Sequence, residues 1–288
     1  MAKIWDRKTK EVIIEKQYKE EALTFLYNNL IGRVLMKIWF TTPIYSKLVA
    51  KNKKSKKSIK EISKFIEKNK IDKTKFVEKD YTSFNDFFIR EYKPEYINID
   101  ENKNSLISPA ESKVLAYKIT PDLKVKIKSS IYTIYEIVKD KKIEEEFKDG
   151  YLLVCRLAVT DYHRYIYIDN GKLIKNKKIK GRLHTVSSIS DKYKIYKENT
   201  REINYIEYDN LGKTIQIEVG AMQIGKIVNK SNETFNKGME KGYFEYGGST
   251  IVLIVSNKVK VDEDILENTN NNIETKVRIG EKIGEVKC

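Results

Sequence analysis

Cysteine and histidine are both scarce in this chain of 288 residues, which contains only two of each. Cys155 lies within an apolar run and Cys288 is the last residue, so the sequence shows neither a disulfide framework nor the ligand spacing of a zinc site. We therefore expect a reducing compartment and no bound metal. His163 and His184 are the only imidazoles available for acid–base chemistry.

Long apolar runs are also missing. The N-terminus has no apolar signal-peptide core, and the most apolar helical stretch, residues 22–40, is interrupted by Asn28, Asn29, Arg33 and Lys37. The sequence therefore predicts no membrane span. The apolar stripe of this stretch is typical of a core helix, and the alternative is a helix that lies on a lipid surface.

Positive charge is in excess, with 56 Lys and Arg against 41 Asp and Glu and a formal net charge of +15. This balance favours an anionic partner such as nucleic acid, a membrane surface or an acidic substrate. A dense lysine patch is consistent either with contact to anionic headgroups or with a solvated linker. The patch consists of Lys51, Lys53, Lys54, Lys56, Lys57 and Lys60.

Two regions differ in their secondary-structure pattern. Helical spacing of apolar residues extends from residue 18 to about 39, and shorter helices are predicted further along the N-terminal third. Beyond Pro94, short β-like runs alternate with turns, and Asn170-Gly171 is a hairpin signal. We predict an α+β fold, with a helical, membrane-proximal part over residues 1–95 and a β-rich core over residues 96–288. The shorter helices are predicted at 44–50, 57–68 and 83–91, and the β-like runs at 113–119, 151–159, 165–168, 214–219, 251–255 and 277–286.

The segment Gly247-Gly248-Ser249-Thr250 stands immediately before the apolar run 251–255. Flexible glycines allow the Ser249 hydroxyl to approach the carbonyl carbon of Gly248. Attack there would convert the amide into an ester, and elimination from the ester would leave a pyruvoyl group at residue 249. A tight turn is the ordinary interpretation of such a tetrapeptide, so support is needed from elsewhere in the chain.

Further segments supply that support. They are Ser83 to Arg90, Ser108-Pro109-Ala110-Glu111, Asp161-Tyr162-His163-Arg164 and Glu218-Val219-Gly220-Ala221, followed by the Gly-Gly-Ser-Thr segment. In this order, the chain resembles the pyruvoyl-dependent phosphatidylserine decarboxylases over almost its whole length. The combination of Asp-Tyr-His-Arg with a later Gly-Ser-Thr site is specific to that resemblance.

The resemblance implies a proenzyme in which Ser249 attacks the Gly248 carbonyl with help from a histidine that a carboxylate orients. Cleavage would give a β chain, 1–248, and an α chain, 249–288, whose apolar first strand keeps it embedded. The pyruvoyl group, the implied covalent cofactor, would form a Schiff base with phosphatidylserine and lead to phosphatidylethanolamine. His163, the first histidine of the family motif, is implied to contact the substrate carboxylate or to assist proton transfer.

The chain departs from the family pattern at two positions. Glu111 stands where the family has the aspartate of the triad, and Ile166, which cannot accept a proton, stands where it has the base histidine. Loss of a triad base typically slows a reaction by about 10⁴. Three routes remain open, in which the base is His163, His184 or Glu111.

We therefore expect a carboxy-lyase that lies peripherally on the cytoplasmic side of the cell membrane. Its expected partners are phosphatidylserine, an anionic membrane surface and, because family members commonly pair, a second copy of the chain. The alternative is a non-processed, catalytically impaired paralogue that acts as a lipid-binding or regulatory protein. Nucleic acid is not expected as a partner, because the sequence has no ribonucleoprotein, helix-turn-helix or finger pattern.

Overall fold

The computed structural model describes residues 2–15, 20–127, 130–140, 145–185, 195–221, 226–230, 232–247 and 249–287. Gly248 of the expected cleavage site and the terminal Cys288 lie outside these ranges. The described part combines an N-terminal group of helices with a large β-rich core, so the predicted α+β class is confirmed.

The helices are α1 (Glu20–Asn28), α2 (Leu30–Leu35), α3 (Pro43–Lys53), α4 (Lys60–Asn69), α5 (Phe84–Phe88), α6 (Ile134–Val138), α7 (Ile195–Glu198) and α8 (Glu263–Asn270). The strands are β1 (Ala2–Asp6), β2 (Glu11–Glu15), β3 (Ser105–Ile107), β4 (Ser112–Lys118), β5 (Lys124–Ile127), β6 (Ser130–Thr133), β7 (Tyr151–Leu157), β8 (Arg164–Ile166), β9 (Gly171–Ile179), β10 (Arg201–Tyr208), β11 (Gly212–Val219), β12 (Ile227–Asn229), β13 (Thr234–Phe235), β14 (Glu240–Phe244), β15 (Ser249–Val255), β16 (Val259–Val261), β17 (Ile273–Val277) and β18 (Lys282–Val286).

A ten-stranded sheet forms the centre of the molecule, in the order β13-β9-β10-β11-β15-β7-β4-β17-β1-β2. Strand β15 is buried along its whole length, as its aliphatic sequence predicts. It pairs antiparallel with β7 and β11, so that Ser249 lies opposite Leu157 and Thr250 lies opposite Val219. Ser249 is therefore the first residue of a strand in the middle of the sheet.

A smaller sheet, in the order β12-β14-β8, brings together the two segments that carry the predicted chemistry. Strand β14 leads to the Gly-Gly pair, and β8 begins directly after His163. The two strands pair at Tyr243 and Arg164, and the Phe244 N–H donates a 3.0 Å hydrogen bond to the His163 carbonyl. This pairing fixes the backbone of His163 beside the chain that enters Ser249.

The prediction of one continuous helix from residue 18 to about 39 is wrong, because the segment is divided into shorter helices. Helix α1 ends at Asn28, and the side chain of Asn29 accepts a hydrogen bond from the Ile31 N–H to begin α2. Asparagine favours this capping arrangement over a helix interior, because its side chain competes for backbone donors. A π-helical turn, Met36–Phe40, follows α2. The helix predicted over 83–91 is also shorter, since α5 covers Phe84–Phe88.

The lysine patch belongs to regular structure, which excludes the linker interpretation. Its residues lie at the end of α3, in the 3₁₀ turn Lys56–Ile59 and at the start of α4. Lys54 pairs with Glu245 at 2.7 Å, and Lys53 pairs with Glu61.

Because β1 pairs in parallel with β17, the first strands of the chain join the central sheet. The division at residue 95 stays a prediction.

The hairpin predicted at Asn170-Gly171 is wrong. Strands β8 and β9, which flank this dipeptide, lie in different sheets. The Asp169 carboxylate instead accepts hydrogen bonds from the backbone of Asn170 and of Leu211, which ties the segment to the turn between β10 and β11. That turn closes a true hairpin, in which Gly212 has a φ of +71° that favours glycine.

Candidate self-cleavage site

The Ser249 hydroxyl meets the imidazole of His163 in the interior of the molecule. Ser249 Oγ lies 3.2 Å from His163 Nδ1, and both residues are 0% exposed. Backbone pairing on both sides of β15 fixes the serine, and the small sheet fixes the histidine. The structure thus brings together the predicted nucleophile and the first histidine of the motif.

A backbone carbonyl sets the tautomer of His163. Its Nε2 lies 3.0 Å from the carbonyl oxygen of Ala158, which can only accept a hydrogen bond. The network therefore assigns the proton to Nε2 and leaves the Nδ1 lone pair facing the Ser249 hydroxyl. Phe88 stacks on the imidazole at a centroid distance of 4.0 Å and limits its rotation.

His163 is neutral in this environment. Burial, and then the positive charge of Arg90, lowers the pKa of His163 to about 3. The imidazole therefore keeps a free lone pair for proton acceptance at neutral pH. The same low pKa makes it a weak base, so each proton transfer to it is uphill.

The loop that leads to His163 folds around the carboxylate of Asp161. This carboxylate accepts a 2.6 Å hydrogen bond from the Ala158 N–H, and Lys113 Nζ lies 2.6 Å from each of its oxygens. The Asp161 N–H in turn donates to the Ala158 carbonyl at 3.0 Å. These two hydrogen bonds between Ala158 and Asp161 fix the turn that carries the Ala158 carbonyl. That carbonyl takes the orienting role that a carboxylate has in a Ser-His-Asp triad.

Glu111 contacts a different partner from the one that the triad position implies. Its carboxyl accepts a 2.6 Å hydrogen bond from the Tyr92 hydroxyl, and within the described ranges no hydrogen bond joins it to His163. Burial, and then the negative charge of Asp161, raises the pKa of Glu111. Among the described residues, Glu111 is therefore hydrogen-bonded to Tyr92 and not to Ser249 or His163.

Neither Ile166 nor His184 is hydrogen-bonded to this pair within the described ranges. Ile166 is a buried core residue whose N–H donates to the Pro109 carbonyl at 2.9 Å. His184 Nδ1 lies 3.4 Å from the Tyr27 hydroxyl, and its Nε2 lies 3.7 Å from Glu198. Burial, and then Arg182, lowers the pKa of His184 to about 4. The part of the chain that the structure describes contains no hydrogen bond between His184 and Ser249.

Helix α5 supports both sides of the site. Phe88 covers His163, and Asn85 Oδ1 accepts a 2.9 Å hydrogen bond from the Tyr246 N–H. Gly247 follows with a φ of +139°, a conformation that side chains other than that of glycine rarely adopt. This segment is part of the family resemblance, but nothing in the sequence predicted its contacts.

Lys113, Tyr92 and Ala158 are parts of the site that sequence reasoning missed. Lys113 alone carried a signal, because a lysine inside a buried strand requires a buried anion.

In the described ranges, no group of three or more His, Cys, Asp or Glu side chains is arranged to hold a metal ion. Over the same residues, no helix is both long and apolar enough to cross a membrane.

Comparison with known proteins shows which family the sequence is similar to. The sequence profile of the family described as phosphatidylserine decarboxylase matches residues 84–285. Phosphatidylserine decarboxylase proenzyme 2 of Clostridium acetobutylicum is 51% identical over 284 residues, which cover 98% of each chain. The phosphatidylserine decarboxylase proenzyme of Clostridium tetani is 39% identical, over 100% of this chain and 99% of its own. That of Fusobacterium nucleatum is 38% identical, over 98% and 97%. The chain belongs to the phosphatidylserine decarboxylase family, whose members are carboxy-lyases.

Proposed function

We propose that this chain, which decarboxylates phosphatidylserine as a member of its family, uses a pyruvoyl group formed at Ser249 by self-cleavage. The product of the reaction is phosphatidylethanolamine. The observation that carries the proposal is the buried 3.2 Å contact between Ser249 Oγ and His163 Nδ1. It supports His163 as the base in place of the histidine that Ile166 replaces.

The self-cleavage begins when His163 Nδ1 removes the Ser249 hydroxyl proton and Oγ attacks the carbonyl carbon of Gly248. The bond between that carbon and the Ser249 nitrogen breaks, and the nitrogen takes the proton from His163 to become an amine. The chain is then joined through an ester. Loss of the Ser249 α-proton expels Gly248 as a carboxylate, and water hydrolyses the resulting enamine, in its imine form, to a ketone and ammonia.

The residues around Ser249 suit this product. Ser249 supplies all the carbon atoms of the group, and its position at the start of β15 keeps the new chain end inside the sheet. The pyruvoyl carbonyl supplies an electron sink for decarboxylation. His163 lies against residue 249 and is placed to hold or move a proton there.

The test is intact-mass spectrometry of the purified protein after expression. We expect fragments 1–248 and 249–288, the second lacking its amine and carrying a ketone, whereas Ser249→Ala gives one uncut chain. The two histidines provide a matched pair of variants. His163→Ala should remain uncut or slow the cleavage by about 10⁴, and His184→Ala should cleave like the wild type.

Two results would contradict the proposal. An uncut wild-type chain would favour the alternative, a non-processed paralogue that binds lipid without decarboxylating it. Cleavage that depends on His184 and not on His163 would reassign the base.

We infer that helices α1 to α3 dock the protein on an anionic membrane on the cytoplasmic side. Large aliphatic side chains are exposed there beside cationic ones, including Ile31 at 65% and Ile38 at 63% exposure, with Lys37 between them in the chain. This mixture is typical of an interfacial segment, in which apolar side chains enter the lipid and lysines meet headgroups.

Vesicle sedimentation tests this docking surface. We expect binding to vesicles that contain phosphatidylserine, weakened about tenfold or more by Ile31→Asp or Ile38→Asp. Ile174→Asp is the matched control, because Ile174 is 57% exposed on β9 in the sheet. Equal loss of vesicle binding in all three variants would contradict the docking surface.

The homodimer implied by the resemblance stays a prediction, which analytical ultracentrifugation can test.

A further inference from the structure

We propose that Lys113 is a positioning residue for self-cleavage, which holds the base His163 in place through Asp161 and the Ala158 peptide. The inference rests on the proposed function, because it assumes that His163 takes the proton of Ser249. Nothing in the sequence pattern of the cleavage site assigns a role to Lys113.

Lys113 occupies an unfavourable place for a cation. It lies on β4 opposite Arg156 of β7 and Lys276 of β17, and it is 4% exposed. A lysine in such surroundings stays charged only if anions compensate the lost hydration. Asp161, with Lys113 Nζ at 2.6 Å from both oxygens, is the nearer anion, and Glu15 lies 3.4 Å away.

The contacts continue from Lys113 to the reacting serine without interruption. Lys113 holds the Asp161 carboxylate, and that carboxylate accepts the Ala158 N–H. The Ala158 carbonyl accepts from His163 Nε2, and His163 Nδ1 faces Ser249 Oγ. Within the described ranges, the donors hydrogen-bonded to the Asp161 carboxylate are Lys113 and Ala158.

Removal of the Lys113 ammonium would leave the Asp161 carboxylate buried without its cation. The negative charge of Asp161 already raises the pKa of Glu111, after the larger effect of burial, so the charges of the two carboxylates oppose each other. The turn that carries the Ala158 carbonyl would relax, and His163 would lose its orientation toward Ser249. A misplacement of about 1 Å at a reacting group can cost about 100-fold in rate.

A cavity of about 320 Å³ makes this role testable by chemical rescue. Lys113, Asp161 and Glu111 line it, together with Lys276. A small alkylammonium ion can therefore reach the place that a shortened side chain leaves. Lys276 pairs with Asp6 at 2.8 Å, so it serves as a control cation in the same cavity.

The experiment follows formation of the 249–288 fragment by denaturing mass spectrometry after cell-free synthesis of the full chain. Lys113→Ala should slow cleavage about 100-fold, and ethylammonium should restore most of the rate, whereas ethanol should not. Lys276→Ala should cleave at the wild-type rate. Lys113→Arg, which keeps the cation, should stay within about tenfold of the wild type.

Several outcomes would overturn the inference. The first is an unchanged cleavage rate in Lys113→Ala. The second is a slower cleavage that ethylammonium does not restore, or that ethanol restores equally well. The third is an equally slow cleavage in Lys276→Ala. If Lys113→Ala does not fold, the test uses the double variant Lys113→Met with Asp161→Asn, which removes both charges together. A wild-type rate in that pair overturns the inference, and a rate about 100-fold lower supports it. A wild-type chain that never cleaves would instead refute the proposed function itself.

Discussion

The imidazole of His163 links stability to pH at the scale of a single residue. Its pKa is lowered to about 3 in the folded chain, first by burial and then by Arg90, whereas a histidine in an unfolded chain titrates near 6.5. Between these values the unfolded chain binds a proton that the folded chain does not. Stability from this group is therefore present above about pH 6.5 and is lost as the pH falls toward 3.

We expect this linkage to appear in the uncut Ser249→Ala protein. Between pH 7 and pH 5, its free energy of unfolding should fall by about 2 kcal/mol more than that of the same protein with His163→Gln. Urea denaturation at the two pH values measures both differences, and the comparison cancels the titration of the carboxylates. Equal losses in the two proteins would show that His163 is not held neutral.

At the scale of secondary-structure elements, the short helix α5 connects the helical region to the cleavage site. Ser83 caps it by accepting a hydrogen bond from the Asp86 N–H at 3.2 Å, and the Phe84 N–H donates to Ser58 Oγ at 2.9 Å. From this anchored position, Asn85 holds Tyr246 and Phe88 covers His163. Five residues therefore position both partners of the self-cleavage.

Asn85→Ala should affect cleavage more than loss of the helix cap does. It leaves the Tyr246 N–H without its acceptor, which should cost about 1 to 3 kcal/mol and loosen the chain just before Gly247. Ser83→Ala is the control, with an expected cost of about 1 kcal/mol. Urea unfolding of each variant combined with Ser249→Ala gives the loss in free energy of unfolding. Mass spectrometry of the fragments from chains that keep Ser249 gives the cleavage rates. Equal cleavage rates in the two variants would contradict a specific role of Asn85.

At the scale of the whole molecule, residues 249–288 are built into the fold at several places. Strand β15 lies in the centre of the large sheet, β17 pairs with β4 and β1, and β18 pairs with β3. Arg7 also binds Asp264 at 2.7 Å through its Nε. Cleavage of one peptide bond removes none of these contacts.

The fragment 249–288 should therefore remain bound after self-cleavage. With an affinity tag on the N-terminus, both fragments should elute together in native buffer and separate only in guanidinium chloride. The large buried apolar area of β15 is the physical reason. A fragment that washes from the column without denaturant would contradict this arrangement.

Patterns that depend on neighbouring residues were predictable from the sequence. The aliphatic run after Ser249 predicted a buried strand, which β15 forms. Where the sequence analysis failed, a distant contact decided the outcome. Asn170-Gly171 has the composition of a hairpin, but Asp169 binds the neighbouring turn and β9 pairs elsewhere.

Local patterns and the order of the motifs along the chain were enough to predict the α+β class, the family and the serine at which we propose cleavage. The contact between His163 and Ser249 could not be predicted in this way, because the two residues are 86 positions apart and only folding brings them together. The same holds for the Ala158 carbonyl that orients the imidazole. Every residue has a carbonyl, so no letter of the sequence marks the one that the folded chain places beside a histidine.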